Sequence, residues 1–355
     1  MPQITPTSQV IIEAPSLRDF CTQLLVAAGV TAEDAAMVTD VLVEANLRGV
    51  DSHGVARLPH YLRRIRHGSI EPRPKITLER VSASTALLDG GHGLGHLVMN
   101  RAAHHAIAIA RESGAGWVAV RNSSHCGALS HPGLLIANAG MIGMAFTHVD
   151  PMVLPHGARE PFCGTNPLCF TAPGENGQAL CLDMATSVTP WNSIENAILE
   201  GVPIPLGWAV DAEGCDTVDP SCVRAIYPVG GYKGSGLGLL IDVFCSLLSD
   251  GPYGPDIPRM YGDLSQRRLL GGLVGAIDVS RFVPESRFRR RVSEMIARWG
   301  RLKPAEPGGR VLYPGEPEML TRVERLRNGI PLGGALVEQF NQLAHEYQVP
   351  PLTTL

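Results

Sequence analysis

Residues 122–167 read NSSHCGALSHPGLLIANAGMIGMAFTHVDPMVLPHGAREPFCGTNP, and their reading sets the terms for the rest of the chain. A polar turn carrying His125 opens the stretch. A short helical segment and the apolar run Met141–Phe146 follow, and a Gly-Thr-Asn-Pro turn closes it. Proton-handling residues thus sit at the ends of apolar elements, where loops on a rigid scaffold commonly carry chemistry. Three other places look built to meet it: Asp51-Ser52-His53-Gly54 with Arg57, Asp183-Met184-Ala185-Thr186-Ser187, and Gly231-Tyr232-Lys233-Gly234-Ser235-Gly236. Together they are expected to form one active site.

Working outward, the elements alternate between helix and strand. Residues 1–15 read as a loose arm. Ser16 is placed to cap a first helix that puts Phe20, Leu24 and Leu25 on one face. Thr31 with Asp34 makes a capping-box-like start for a second, with Val38, Val41, Leu42 and Ala45 at helical spacing. A third helix spans Leu58 to Arg66, and strands lie between Ile76 and Leu88. The Ala-rich segment Val98–Glu112 predicts a helix stopped by Gly114, and Trp117–Val120 a buried strand. Cys169–Ala172 and Ala179–Met184 read as strands joined by an Asn176-Gly177 turn. Residues 203–220 read as an irregular excursion, and a glycine-rich turn around Lys233 leads into a helix at Leu237–Leu248. A strand at Leu273–Ile277 and helices at Phe288–Trp299 and Gly334–Glu346 complete the pattern, with a plain turn at Leu312–Pro317.

At 355 residues the chain is longer than one core usually supports. The expected division is a helical N-terminal segment (1–75) contributing to the active site and a central α/β nucleotide-binding and catalytic domain (76–310). A C-terminal turn and helix (311–355) would pack back on the first. A net charge of −4 gives no reason to expect nucleic acid or an anionic membrane as partner. The longest apolar run is too short to span a bilayer, and residues 1–15 lack a secretory pattern; a cytoplasmic protein is expected. Eight scattered cysteines without a C-x-x-C pair read as reduced thiols, and no Cys/His cluster has metal-ligand spacing.

His125 is the best candidate proton donor or acceptor, since imidazole titrates near neutral pH. Ser52, His53 and Arg57 can bind a carboxylate, Arg supplying a planar fork; equally, they can be a helix end with His53 near the negative dipole terminus. Lys233, among glycines, can meet a phosphate or carboxylate or be an ordinary loop lysine. It is not a P-loop. Asp183, at a strand end, can hold a ribose hydroxyl, orient a histidine or cap a turn. No G-x-G-x-x-G turn and no G-x-S-x-G elbow is present, which counts against a Rossmann domain and against a serine hydrolase.

In order and spacing, D-S-H-G-V-A-R-L-P (51–59), S-S-H-C-G-A-L-S (123–130), G-T-N-P-L-C-F (164–170), L-D-M-A-T-S (182–187) and G-Y-K-G-S-G (231–236) resemble the type-2 malate/L-lactate dehydrogenase family. The segments Asp150–Pro155, Ala172–Glu175, Met260–Leu264 and Leu312–Gly315 resemble in particular its branch acting on (S)-ureidoglycolate. The resemblance implies a non-Rossmann α/β fold of that family, an NAD or NADP cofactor, a small 2-hydroxy or 2-oxo acid substrate and a homodimer. It implies His125 as the catalytic proton acceptor, with His53, Ser52 and Arg57 beside it and Thr165 and Asn166 in the substrate pocket. Asp183, Met184, Ala185, Lys233, Gly315, Glu316 and Pro317 match cofactor-contacting positions. Val149 stands where that branch has a serine, and His131 and Trp191 fall where branches vary. Competing expectations are a malate- or lactate-type dehydrogenase, an NADPH-dependent reductase of Δ1-piperideine-2-carboxylate, and a non-catalytic ligand-binding relative.

Overall fold

The computed structural model describes residues 9–353. In chain order the first elements are β1 (Gln9–Ile12), α1 (Ala14–Ala27), α2 (Ala32–Leu47), α3 (Leu58–Arg66), β2 (Thr77–Arg80) and β3 (Thr85–Asp89). Next come α4 (Gly95–Ser113), β4 (Ala115–Ser123), α5 (Ser130–Asn138), β5 (Met141–Thr147), β6 (Leu168–Pro173) and β7 (Ala179–Met184). Then follow α6 (Trp191–Glu200), β8 (Ala209–Val210), β9 (Asp216–Thr217), β10 (Ala225–Ile226), α7 (Tyr232–Cys245) and β11 (Leu270–Asp278). The last are α8 (Glu285–Gly300), α9 (Glu316–Asn328), β12 (Ile330–Gly333) and α10 (Gly334–Tyr347).

A seven-stranded mixed sheet, ordered β2-β3-β4-β11-β5-β6-β7, forms the scaffold. Only the β3–β4 pair is parallel; the other neighbours are antiparallel. The central strand β11 arrives from far along the sequence and splits β4 from β5. Period-two alternation buries both faces of the sheet. Val118, Val120, Met141 and Ala145 point to one face, where α4 and α5 complete a core with Ala102, Ala106 and Ile136. Trp117, Met144, Phe146 and Leu273 point to the other, against Ile241 and Cys245 of α7. Gly116 has no side chain because a Cβ there would strike the α4 backbone at Ala106, so glycine sets the close approach of that helix.

A separate apolar core gathers Leu17, Leu24, Leu42, Leu58 and Tyr61 from the N-terminal helices with Phe340 and Ala344 of α10. β1 pairs antiparallel with β12, tying the two ends of the described chain together. Several expectations are corrected here. Residues 9–12 of the supposed loose arm are a strand, while residues 1–8 lie outside the described residues. Ser16 does not cap α1, which starts earlier with Pro15 in its first turn, where the missing N–H costs nothing. Thr31 does cap α2, accepting the Asp34 N–H at 3.2 Å. The region read as irregular contains β8 and β9 of the three-stranded sheet β10-β8-β9, and α6 precedes it in a stretch for which no element was expected. α9 begins where a plain turn was expected. No described helix is long and apolar enough to cross a membrane.

Candidate active site

The site is built first at the end of α2. Asn46 is buried, and its side chain turns back to accept the Val55 N–H at 2.8 Å and to donate to Asp51 at 2.6 Å. These two bonds fold residues 51–57 into two successive 3-10 turns. Gly54 is required there, because a Cβ would collide with the Asn46 amide. Asp51 is thereby structural: it also receives Arg325 at 2.6 and 3.0 Å. The tight turn brings the neighbours Ser52 and His53 together, with Ser52 Oγ 2.8 Å from His53 Nδ1. Adjacent residues rarely meet this way in extended chain or α-helix; the 3-10 geometry makes it possible.

Arg57 is held, not solvated. Its Nε donates to the Ser52 carbonyl at 2.8 Å and one Nη to Asn192 at 2.7 Å; the other Nη meets the Tyr261 hydroxyl, and Glu195 lies 3.7 Å away. Three of its five donors are used, so the fork retains capacity for an anion.

His125 follows β4 on a loop pinned by Ser124, whose hydroxyl accepts the Gly95 N–H and donates to the Gly93 carbonyl, both at 2.9 Å. Its Nδ1 is 2.7 Å from the buried hydroxyl of Tyr61 on α3, and the Gly127 N–H reaches the same nitrogen at 3.4 Å. The ring stacks on His53 with centroids 5.6 Å apart, and His96 lies edge-on at 6.5 Å. Burial holds His125 well below the ordinary imidazole range, and the Arg57 guanidinium, like any proton on His53 or His96, pushes the same way. Burial and Arg57 lower His53 to about 4, and burial lowers His96 to about 3.

Ser52, His53, Arg57 and His125 open onto one cavity of about 980 Å³, also lined by Val149, Thr165, Asp183, Met184, Ala185, Gly315 and Pro317. Asp183, at the end of β7, accepts the Ser130 N–H at 2.6 Å, and burial raises its pKa. Trp191 is in the lining; His131 is not, and instead meets Asn100 at 3.1 Å. Three expected residues stand outside the lining. Asn166 is fully buried, donating to the Gly238 carbonyl at 2.8 Å and to Asp242 at 3.1 Å, in a network with His148 and Ser246 behind the cavity wall. Glu316 is turned inward onto Arg310 at 2.6 Å. Lys233 lies in the first turn of α7, which takes in the glycines expected to form a loop; only Gly230 and Gly231, at φ 61° and 62°, make the turn.

Sequence reading missed Tyr61, Asn192, Tyr261 and Arg64. Arg64 is 1% exposed and donates to the carbonyls of Met260 at 2.6 Å, Gln266 at 3.1 Å and Arg259 at 3.2 Å, fixing the loop that carries Tyr261. A signal existed: Arg57, Tyr61 and Arg64 recur at helical spacing, a polar stripe along the short helix α3.

A 980 Å³ cavity is at the upper end for a ligand site and can take a dinucleotide. Arg48 Nε and Glu318 Oε2, on cavity-lining residues, are buried with no hydrogen-bond partner, the condition expected of groups that await a polar ligand. The malate/L-lactate dehydrogenase family model matches residues 12–341. The chain belongs to that family. It is a dehydrogenase of 2-hydroxy acids that works with a nicotinamide cofactor. Ureidoglycolate dehydrogenase (NAD(+)) of Escherichia coli is 36% identical over 319 residues, 90% of this chain and 91% of that one. Malate dehydrogenase of Pyrococcus abyssi is 36% identical over 353 residues, 97% of this chain and 96% of that one. The solved sulfolactate dehydrogenase of Methanocaldococcus jannaschii superposes with a TM-score of 0.89 at 33% identity, covering 96% of this chain and 98% of that one.

Proposed function

We propose that this dehydrogenase oxidises (S)-ureidoglycolate to oxalurate with NAD. The observation that carries the chemistry is the convergence of His125, His53 and Arg57 on one cavity, His125 with Nδ1 already engaged by Tyr61. With the ring hydrogen on Nδ1 and donated to the Tyr61 oxygen, Nε2 is the nitrogen free to accept the proton of the substrate hydroxyl, and the 3.4 Å approach of the Gly127 N–H to Nδ1 then contributes no hydrogen bond. A neutral ring is needed to accept that proton, and burial keeps His125 neutral at physiological pH. The free donors of Arg57 pair with the substrate carboxylate, and His53 fixes the plane of His125 by stacking. Asp183, Met184, Ala185, Gly315 and Pro317 form the wall that holds the cofactor, while Asn166 and Glu316 brace that wall from behind. A bound nicotinamide supplies the hydride acceptor. The ureidoglycolate assignment rests on the branch-specific segments and the similarity to the Escherichia coli enzyme.

A second reading, a malate-type diacid, is favoured by Arg224 and Arg259. Both line the cavity, expose their side chains and stand ready for a second anionic group. Nicotinamide absorbance with ureidoglycolate, malate, lactate and Δ1-piperideine-2-carboxylate, each with NAD(H) and NADP(H), separates the readings. NAD reduction by ureidoglycolate alone supports the first; preference for malate moves the substrate to the second. His125→Ala, folded as judged by its melting curve, is expected to lose a factor on the order of 10² to 10⁴ in turnover. Unchanged turnover removes His125 from the mechanism.

We also propose a homodimer. Phe170 of β6 and Leu182 of β7 pair across the sheet and are 41% and 38% exposed, and Phe146 links them to Phe244 of α7. With Leu237 and Leu240 they make a continuous apolar face of the kind that self-association covers. Leu240→Glu is expected to shift the protein toward monomer in sedimentation; an unshifted dimer places the interface elsewhere.

A further inference from the structure

Helices α2 and α9 face each other through a ladder of charges. On α2 and its continuation, Glu44, Arg48 and Asp51 recur at helical spacing; on α9, Glu318, Arg322 and Arg325 do the same. Two rungs close: Arg322 meets Glu44 at 2.6 Å, and Arg325 meets Asp51 at 2.6 Å. Arg48 and Glu318, the third charged residue on each element, form no ion pair. Arg48 Nε and Glu318 Oε2 are buried without partners, and both residues border the cavity. A buried donor and a buried acceptor of opposite charge, left apart while their neighbours pair, suit a ligand that offers both hydrogen-bond roles between them. A ribose diol does: one hydroxyl donates to a carboxylate while its partner accepts from a guanidinium.

We propose that Arg48 and Glu318 grip the adenosine ribose of the cofactor, and that Glu318 together with Asp183 selects NAD(H) over NADP(H). The proposal rests on the dehydrogenase reading of this cavity. The wall from residue 299 to 318 places Trp299, Leu312 and Pro314 beside this corner, apolar surface on which an adenine can lie. His53, His125 and Arg57 occupy the part of the lining where the reacting groups must sit. Asp183 is within electrostatic reach of both orphans: Glu318 pushes its pKa up and Arg48 pulls it down. The corner thus holds two carboxylates and one guanidinium. A 2′-hydroxyl satisfies them, whereas a 2′-phosphate brings negative charge against a net-negative wall.

The test uses binding, not turnover. ADP-ribose and its 2′-phosphate, fragments that lack nicotinamide, are titrated calorimetrically into the wild-type protein, Glu318→Gln and Arg48→Met, with NADH and NADPH alongside. The wild type is expected to bind the plain fragment at least about tenfold more tightly than the 2′-phosphate, a gap of one decade in Kd. Glu318→Gln should narrow that ratio to within about threefold, mainly by improving the phosphate form, and Arg48→Met should weaken both forms about tenfold. An unchanged ratio in folded Glu318→Gln, or a wild type that prefers the 2′-phosphate, overturns the proposal while leaving the dehydrogenase reading intact. Binding of neither NADH nor NADPH overturns both. If Glu318→Gln lowers only the melting temperature, the couple is an ordinary structural rung and the proposal fails.

Discussion

Three imidazoles, those of His53, His96 and His125, pack against one another, His96 in the core and His53 and His125 half-buried at the cavity wall, and each is held below its ordinary pKa mainly by burial. The unfolded chain protonates each near pH 6.5, whereas folded His53 and His96 resist until about 4 and about 3. The unfolded state therefore binds more protons between those limits, so stability must fall as pH is lowered and be insensitive to these groups above about 7. Integrating from pH 7 to pH 5, each of the two costs about 2 kcal/mol, together about 4 kcal/mol, with His125 adding in the same direction. Against a typical total of about 5–15 kcal/mol, that is a large share. Urea unfolding at pH 7, 6 and 5 measures it, and near pH 5.5 each of these rings should add about one proton taken up on unfolding to the slope, near 1.36 kcal/mol per pH unit, with buried His60, lowered to about 3, adding another. His96→Met removes one titrating ring whose nitrogens are both unpartnered; it should leave stability at pH 7 little changed and cut the slope by one proton. A flat stability between pH 7 and 5, or a slope untouched by His96→Met, would refute the claim that these rings are buried neutral.

Other outcomes follow from the same geometry. Arg64→Met strands the carbonyls of Arg259, Met260 and Gln266, and should destabilise the fold by about 3–5 kcal/mol in urea titration. Because Tyr261 then leaves Arg57, KM for the acid should rise more than kcat falls. Gly54→Ala drives a methyl group into Asn46, opening the turn that presents His53, and should lower kcat/KM by about 10²-fold even if the melting temperature drops only a few degrees. Tyr61→Phe removes the hydroxyl on His125 Nδ1 at constant shape and should lower kcat with little change in the affinity for NADH; an equal loss in both would show that Tyr61 only supports the fold.

Much of the scaffold was legible because its signals are local. The span of β7, the capped start of α2 and the Gly114 stop of α4 come from alternation, a threonine and a glycine at φ 87°. α9 was hidden because its polar, Arg- and Glu-rich sequence has little apolar stripe; it is held by Arg322 and Arg325 on α2, partners almost three hundred residues earlier. α6 was hidden because its capping position is a proline with no side-chain acceptor. The candidate site was legible as motifs but not as geometry. Nothing in the order of residues says that Asn166 turns inward to Asp242, or that Lys233 belongs to a helix. Both are decided by the packing of α7, where Gly234 allows close approach to Val229 and Thr186, and by the Asn166 amide bond to the Gly238 carbonyl.

The same packing explains why polar residues outnumber apolar ones in fixing the site. Each loop that meets the cavity is anchored by one buried polar side chain reaching backbone or charge elsewhere: Asn46 for 51–57, Ser124 for 124–129, Arg64 for 259–266, and Arg268 on Asp150 at 2.6 Å for the turn after β5. Apolar contacts are non-directional and tolerate sliding, whereas a buried hydrogen bond fails if its partners move by an ångström. Directional anchors are thus what can hold His53 and Arg57, from one loop, and His125, from another, in one geometry. It follows that substitutions at these anchors should damage catalysis out of proportion to stability, and that apolar substitutions of equal cost in the α1–α10 core should do the reverse. Pairing Asn46→Ala with Leu24→Ala in one set of unfolding and kinetic measurements would decide it. Equal ratios of lost kcat/KM to lost stability in the two variants would show that rigidity is spread evenly through the fold.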